Sequence, residues 1–480
     1  MSYKSLSTAS LRRLGVMVLF SATLAACGGG GSDPAPTATP APNTNTPPPP
    51  PAVNNGTTST GTGAFGVLGT ANERVAFVPA GTTVLPIVLE SKTAGTKVNA
   101  STQAAVSQPG VTFSFSIDAC SVDSNDLKAI CIGYNSNKVA ILNLATFATS
   151  LKVSDITAVE FASGAPNTFN SYSGGSCILC GVSADVGKQR FVLGGTGGYR
   201  VFSYSNTTTA TAVFNVPVGE NFALLPQAAG ISYIVAPEYD PAAGNRKLRM
   251  INLENNKSYV WTKSTDNLTD LGADANNFQY SDVDAAAVDL STGMVVLSTE
   301  SSADMMLIDF KQASFNETSL TFAAPHTIKK PLSSVSRQTD VSISTKDSLL
   351  LTHGEFTGDV GVMQLPLASG TAGAFPANSN TLGVFSLNDA ALTTARSACA
   401  ATAGSSYSFS GKGDPHGLSL FTGLDVSQKG LIIDSSNSCA AIVDLKGLST
   451  AARKTTAGSE SQIDTSAAAF APLVKFVKLQ

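Results

Sequence analysis

Seven cysteines, three histidines and a set of aspartates carry most of the reactive chemistry in this 480-residue sequence. Asp118, Asp282, Asp284, Asp340 and Asp414 stand at or near the starts of strand-like runs, and Asp414 shares the stretch Gly413-Asp-Pro-His-Gly417 with His416. Carboxylates brought together repel unless a cation, water or a proton intervenes, and a neutral imidazole beside them suits a metal ion. The set nominates a site for a divalent cation or a cationic ligand, with Asp282, Asp414 and His416 foremost. Each aspartate could equally cap its own turn through backbone N–H groups, and both readings stay open. His326 and His353 have no spacing that nominates them.

The cysteines suggest structure rather than reactivity. Cys120 and Cys131 face each other if the chain between them folds as a hairpin centred on Asn125-Asp126, which predicts a cross-strand disulfide. Cys399 lies in a Gly/Ala/Ser-rich stretch, and pairing it with Cys439 would close a loop of about 40 residues. Cys177 and Cys180 are left to each other. A redox role for that Cys-x-x-Cys would want a helix N-terminus, but its flanks Gly174-Gly175-Ser176 and Gly181-Val182-Ser183 read as turn and strand. Haem attachment would need His where Gly181 stands, and zinc would need two further ligands.

Other catalytic signatures are absent or bland. No G-x-S-x-G elbow occurs. The glycines of Gly194-Gly195-Thr-Gly197-Gly198 separate two strands instead of opening a helix, and lack the Lys of a phosphate loop, so they predict a tight hairpin turn. Asp266, Asp270 and Asp274 could approach Ca²⁺, but they follow no EF-hand pattern and read as a solvated loop. With 30 Lys and Arg against 34 Asp and Glu, the chain has no basic footprint for nucleic acid.

The elements that must position these residues are strands. Hydrophobic residues make up 43% of the chain, and they fall in short β-branched and aliphatic runs broken by Asn, Gly, Asp and Ser, which excludes wholesale disorder. One run recurs six times, in Lys138–Leu144, Tyr199–Tyr204, Lys247–Leu253, Asp304–Phe310, Asp359–Leu365 and Cys439–Leu445. The copies are about 60 residues apart on average, enough for four strands and their turns. The turn expected before each third strand adds to this: Val288–Leu297 and Leu424–Ile433 are nearly superimposable, and Val122–Ile132 is a looser third.

These turns, each followed by a strand and then by apolar residues ending in Asp-Leu or Asn-Leu, resemble the blades of β-propellers of the YVTN and NHL-like type over about residues 110–448. The resemblance implies an all-β propeller, because a four-stranded blade with two apolar faces must cover both, and a closed ring does so. Six blades are preferred on the six visible copies, and seven are allowed by the strand-like runs in 64–109 and 449–480. Strands from both termini are expected to close the ring by completing one blade jointly. In this geometry the aspartates at the repeat starts would line one mouth of the central channel.

The N-terminal segment resembles a bacterial lipoprotein signal. Lys4, Arg12 and Arg13 precede an apolar run from Leu14 to Leu24, and Leu24-Ala25-Ala26-Cys27 resembles a lipobox. The resemblance implies cleavage after residue 26 and acylation of Cys27, which would anchor the chain to a membrane. Gly28, where Asp would signal inner-membrane retention, points to the outer membrane and a periplasmic or surface-facing protein. Residues 27–63 then form a lipidated, Gly/Pro/Thr-rich tether that could hold the propeller domain of residues 64–480 up to about 110 Å away.

Two functions follow from this reading. The first is a noncatalytic binding or scaffold module at the cell envelope, with an envelope protein or small ligand as partner and no nucleic acid. The second is a metal-dependent propeller enzyme, a lactonase-like hydrolase whose carboxylates hold a divalent ion.

Overall fold

Apolar residues on successive positions of a strand supply two faces, one to each neighbouring sheet. In the strand Val283–Asp289, Ala285 and Ala287 pack toward one neighbour while Ala286 and Val288 pack toward the other. Repeated around the molecule, this alternation yields seven sheets and seven hydrophobic clusters, one cluster between each adjacent pair.

The computed structural model describes residues 65–479 apart from 93–109, 134–135, 165–177, 180, 196–197, 217–221, 227–229, 241–244, 263–282, 290–292, 300–304, 330–337, 345, 355, 366–382, 403–404, 412–416, 437 and 455–460. The signal-like segment, Cys27, the tether, Cys177, Cys180, Asp282, Asp414, His416 and the loop of Asp266 to Asp274 lie outside the described residues.

The fold is a seven-bladed β-propeller, one blade more than the six preferred from the repeat. From inner to outer strand, blade 1 is Gly66–Gly69, Glu73–Ala80, Thr83–Ser91 and Val111–Thr112. Blade 2 is Ala119–Asp123, Lys128–Ile132, Lys138–Asn143 and Thr157–Ala162. Blade 3 is Gly181–Asp185, Arg190–Gly195, Gly198–Ser203 and Ala212–Phe214. Blade 4 is Ala223–Pro226, Ser232–Asp240, Asn245–Asn252 and Ser258–Trp261. Blade 5 is Val283–Asp289, Met294–Thr299, Met305–Asp309 and His326–Lys329. Blade 6 is Gln338–Ser344, Leu349–Gly354, Asp359–Gln364 and Gly383–Ser386. Blade 7 is Leu418–Thr422, Gln428–Ile433, Cys439–Asp444 and Val474–Lys478.

The six recognised repeats are the third strands of blades 2 to 7, and the matching turns precede the second strands instead of the third, joining them to the inner strands. The seventh blade is the N-terminal one, whose third strand carries Pro86 and ends in Glu-Ser instead of an acidic or amide residue followed by Leu. The inner strands touch in chain order, and the last touches the first, so the ring is closed. Closure also differs from the expected joint blade. The N-terminal residues build blade 1 alone, and the C-terminal strand Val474–Lys478 pairs with Cys439–Asp444 inside blade 7.

Blades 4 and 6 are extended at their outer edges. The hairpin of Ser314–Asn316 and Thr321–Ala323 adds to blade 4 in parallel, and Ser461–Gln462 adds to blade 6. Both additions cover unpaired strand edges. Two of the expected disulfides are formed, Cys120–Cys131 across the hairpin of blade 2 and Cys399–Cys439 from the connection after blade 6 into blade 7. The Gly195–Gly198 pair ends a hairpin within blade 3, where a Cβ on Gly195 would stand 2.0 Å from the Ile178 carbonyl oxygen.

Candidate functional site

Of the aspartates nominated at the strand starts, two can be described with their side chains. Asp118 is buried immediately before the inner strand of blade 2, where its N–H donates to the Ile132 carbonyl at 2.8 Å. Asp340 is buried in the inner strand of blade 6, and its Oδ2 accepts the Gly417 N–H at 3.0 Å, at the entrance to blade 7. Asp284 lies on the inner strand of blade 5, beside a register shift between Val283 and Ala285.

The strand register places His353 opposite Asp340. Its ring is fully buried, Nδ1 stands 3.6 Å from Asp340 Oδ2, and Nε2 donates to the Thr357 carbonyl at 3.2 Å. Gly411 packs against this ring, since a Cβ there would stand 2.3 Å from Cε1. Asp359 begins the adjacent strand, where burial pushes its carboxyl up against opposing interactions with Ser386 and His353. His353 was passed over in the sequence although the same hairpin symmetry that pairs Cys120 with Cys131 pairs it with Asp340. The hairpin is centred on Lys346-Asp347.

At the opposite ends of the inner strands, aspartates tie blades together. Asp123 Oδ1 accepts the N–H groups of Asn125 and Asp126, and its Oδ2 accepts the Tyr204 hydroxyl of blade 3 at 3.0 Å. Burial, then the Asp123 carboxylate, raise the Tyr204 phenol well above its ordinary range. Asp185 accepts from Arg190 Nε at 2.7 Å and from the Ser232 hydroxyl of blade 4 at 2.9 Å. Asp289 accepts from the Ser348 hydroxyl of blade 6 at 2.6 Å. Each of these carboxylates bonds a neighbouring blade, and Asp123 shares its two oxygens between its own turn and blade 3, which ties the sheets together.

Blade 7 departs from this scheme despite its matching sequence. Its inner strand stops at Thr422, leaving Asp425 in an exposed turn with Val426 at φ 60°. The connection to blade 1 instead runs through Glu90, which accepts the Leu424 N–H at 2.6 Å and pairs with Lys429. Lys429 also lies 3.2 Å from Asp425. Arg74 of blade 1 reaches the carbonyls of Thr422 and Gly423. Burial pushes the Lys429 ammonium down, but Glu90 and Asp425 outweigh it and hold it above its ordinary value.

Beside this network is a cavity of about 300 Å³. Glu90, Asp425 and Asp444 supply carboxylates, Lys429 and Lys475 ammonium groups, and Ile442 and Leu473 apolar side chains to its lining. Ile442 and Lys475 are register partners, so one face of blade 7 presents both apolar and charged groups. The sequence reading missed this site because it needs blade 1 and blade 7 to meet. Among the described residues, no group of three or more His, Cys, Asp or Glu side chains is placed to hold a metal ion.

No protein-family model and no curated protein matches the chain. Among solved structures it is similar to a functionally unknown protein from Desulfotomaculum acetoxidans, at 9% identity and a TM-score of 0.44 over 80% of this chain and 92% of that one. It is also similar to a protein from Lactobacillus plantarum, at 12% identity and a TM-score of 0.39 over 85% and 100%. A third is Hsv2 from Kluyveromyces lactis, at 8% identity and a TM-score of 0.35 over 68% and 73%. The propeller assignment rests on the sheets and their closed order, not on these likenesses.

Proposed function

We propose that this chain is an exported, lipid-anchored β-propeller that acts as a noncatalytic binding module at the cell envelope. The anchor and location rest on the lipobox-like Leu24–Cys27 and the apolar run before it. Among the described residues no helix is long and apolar enough to cross a membrane, so attachment in this reading falls to the acyl chains of Cys27.

The observation that carries the binding reading is the cavity between blades 7 and 1. Ammonium and carboxylate groups beside apolar side chains suit a small zwitterion with an apolar body, such as an amino acid or a peptide end. The noncatalytic reading draws on the use of Asp123, Asp185 and Asp289 as ties between blades, which leaves those buried acids with structural work.

Two measurements test this. Titrating the purified protein with free amino acids and dipeptides is expected to raise its thermal midpoint saturably, and Lys475→Glu to remove the rise. A flat response to all probes, or one indifferent to the substitution, refutes the site. Lactone hydrolysis abolished by a chelator would establish the enzyme reading instead. Separately, Cys27→Ser is expected to move the protein from the membrane to the soluble fraction, and a wild-type N-terminal peptide without acyl chains refutes the anchor.

A further inference from the structure

The charged groups that line the cavity between blades 7 and 1 are unequally engaged. Glu90 accepts the Leu424 N–H on one oxygen and the Lys429 ammonium on the other. Asp425 accepts from Ser427 on one oxygen and faces Lys429 with the other, so Lys429 is held by two carboxylates. Among the described residues, the Asp444 side chain makes one hydrogen bond, accepting the Gly447 N–H on Oδ1 at 3.1 Å, and the exposed Lys475 ammonium makes none. One ammonium and one carboxylate oxygen are thus left over in the lining.

Strand register sets these two groups side by side. Lys475 stands opposite Ile442 on the neighbouring strand, and Asp444 lies two residues beyond Ile442, so the pair are diagonal neighbours on one face of blade 7. That face is turned toward blade 1, because Leu431, Ile442 and Val477 share a cluster with Phe65 and Val67. Lys429 is the direct register partner of Asp444, but its ammonium is taken by Glu90 and Asp425.

We propose that the cavity binds a free α-amino acid with an apolar side chain, its carboxylate on Lys475, its ammonium on Asp444 and its side chain against Ile442 and Leu473. That occupant presupposes that the cavity is a binding site, as proposed above, and excludes a peptide end. Diagonal positions on a sheet lie about 7–8 Å apart. A ligand with about 3 Å between its own charged atoms, held by hydrogen bonds of about 2.8 Å at each end, spans roughly 8–9 Å and matches that spacing. A peptide end offers only one of the two charges, and a dipeptide places the second about 3.3–3.6 Å farther off. An apolar ligand with a single charge would cover the other protein group and leave it unpaired.

The test titrates the full-length protein by calorimetry with leucine, with 4-methylpentanoate, which lacks the ammonium, with leucinamide, which lacks the carboxylate, and with leucyl-leucine. Leucine is expected to bind at one equivalent and at least about tenfold more tightly than each of the others. Lys475→Met is expected to erase the preference over leucinamide. Asp444→Asn, which keeps an acceptor for Gly447, is expected to erase the preference over 4-methylpentanoate. An analogue or the dipeptide binding as tightly as leucine, or a preference that survives its substitution, overturns the amino-acid assignment and leaves the cavity a binding site. No binding by any of the four probes overturns the cavity as a binding site and the amino acid with it. The wild-type series decides even if a variant fails to fold.

Discussion

Blade 7 meets its two neighbours by different means. Toward blade 6, the chain runs on continuously, the Cys399–Cys439 disulfide adds a covalent link, and Asp340 grips Gly417. The cluster there includes Phe409, Leu420, Val443 and Phe470, all almost wholly buried. Toward blade 1, no strand among the described residues pairs from one sheet to the other. That seam relies on side-chain packing, including Phe65, Val67, Phe421 and Ile442, and on the Arg74, Glu90, Lys429 and Asp425 network. Topology explains the contrast: blades 6 and 7 follow each other in the chain, whereas blades 7 and 1 are each built from their own strands and meet through side chains. The cavity lies at this second seam, where packing is interrupted by charge.

The largest expected effect breaks the covalent side of the comparison. Replacing Cys399 and Cys439 together by Ser reopens a sequence separation of 40 residues, and the chain-entropy relation assigns such a loop about 4 kcal/mol. Urea unfolding of this double variant against the wild type is expected to show a loss near that size. A loss below about 1 kcal/mol would mean that packing alone holds blade 7 to blade 6, making the two seams alike.

Much of this architecture can be read from strand periodicity, but the seams are harder to see. The third strands of blades 2 to 7 announce themselves by apolar runs with polar ends, whereas Thr83–Ser91 hides the same role behind Pro86 and a different ending. Local symmetry makes Cys120 and Cys131 legible, and would have made Asp340 and His353 legible had it been applied to that hairpin. The Glu90–Lys429 pair is of another kind. It joins residues 339 positions apart through ring closure, and nothing local in either strand signals it. Likewise, Asp289 and Asp425 sit in nearly identical sequences, but one ends a strand in a buried tie and the other occupies an exposed turn.

An intermediate effect is expected at the closing seam. Lys429→Met keeps much of the aliphatic stem but leaves Glu90 without its ammonium partner, in a site where both side chains are less than one-fifth exposed. This largely but not fully buried setting places the cost at about 1–2 kcal/mol, between exposed and fully buried ion pairs. Chemical unfolding of Lys429→Met and of Glu90→Gln/Lys429→Met separates the causes. If the double variant recovers stability, the loss came from a stranded carboxylate. If both variants match the wild type, the ion network does not hold the seam, and apolar packing closes the ring alone.

The smallest expected effect concerns Asp425 and carries a definite sign. Burial pushes its carboxyl up, but hydrogen bonds from Ser427 and the charge of Lys429 outweigh that and hold it at about 2. An unfolded aspartate titrates near 3.9, so the unfolded chain takes up the proton first as pH falls. Stability from this group is therefore fully present above about pH 4 and is lost as pH falls toward 2. Because the side chain is 62% exposed, solvent and salt screen the interaction, and the contribution is expected to stay below about 1 kcal/mol. Asp425→Asn should lower stability at pH 5 and converge with the wild type near pH 2, with a smaller gap at high salt. Parallel stability curves across that range would show that the carboxylate's charge does not contribute, leaving Glu90 as the acidic partner that matters at the seam.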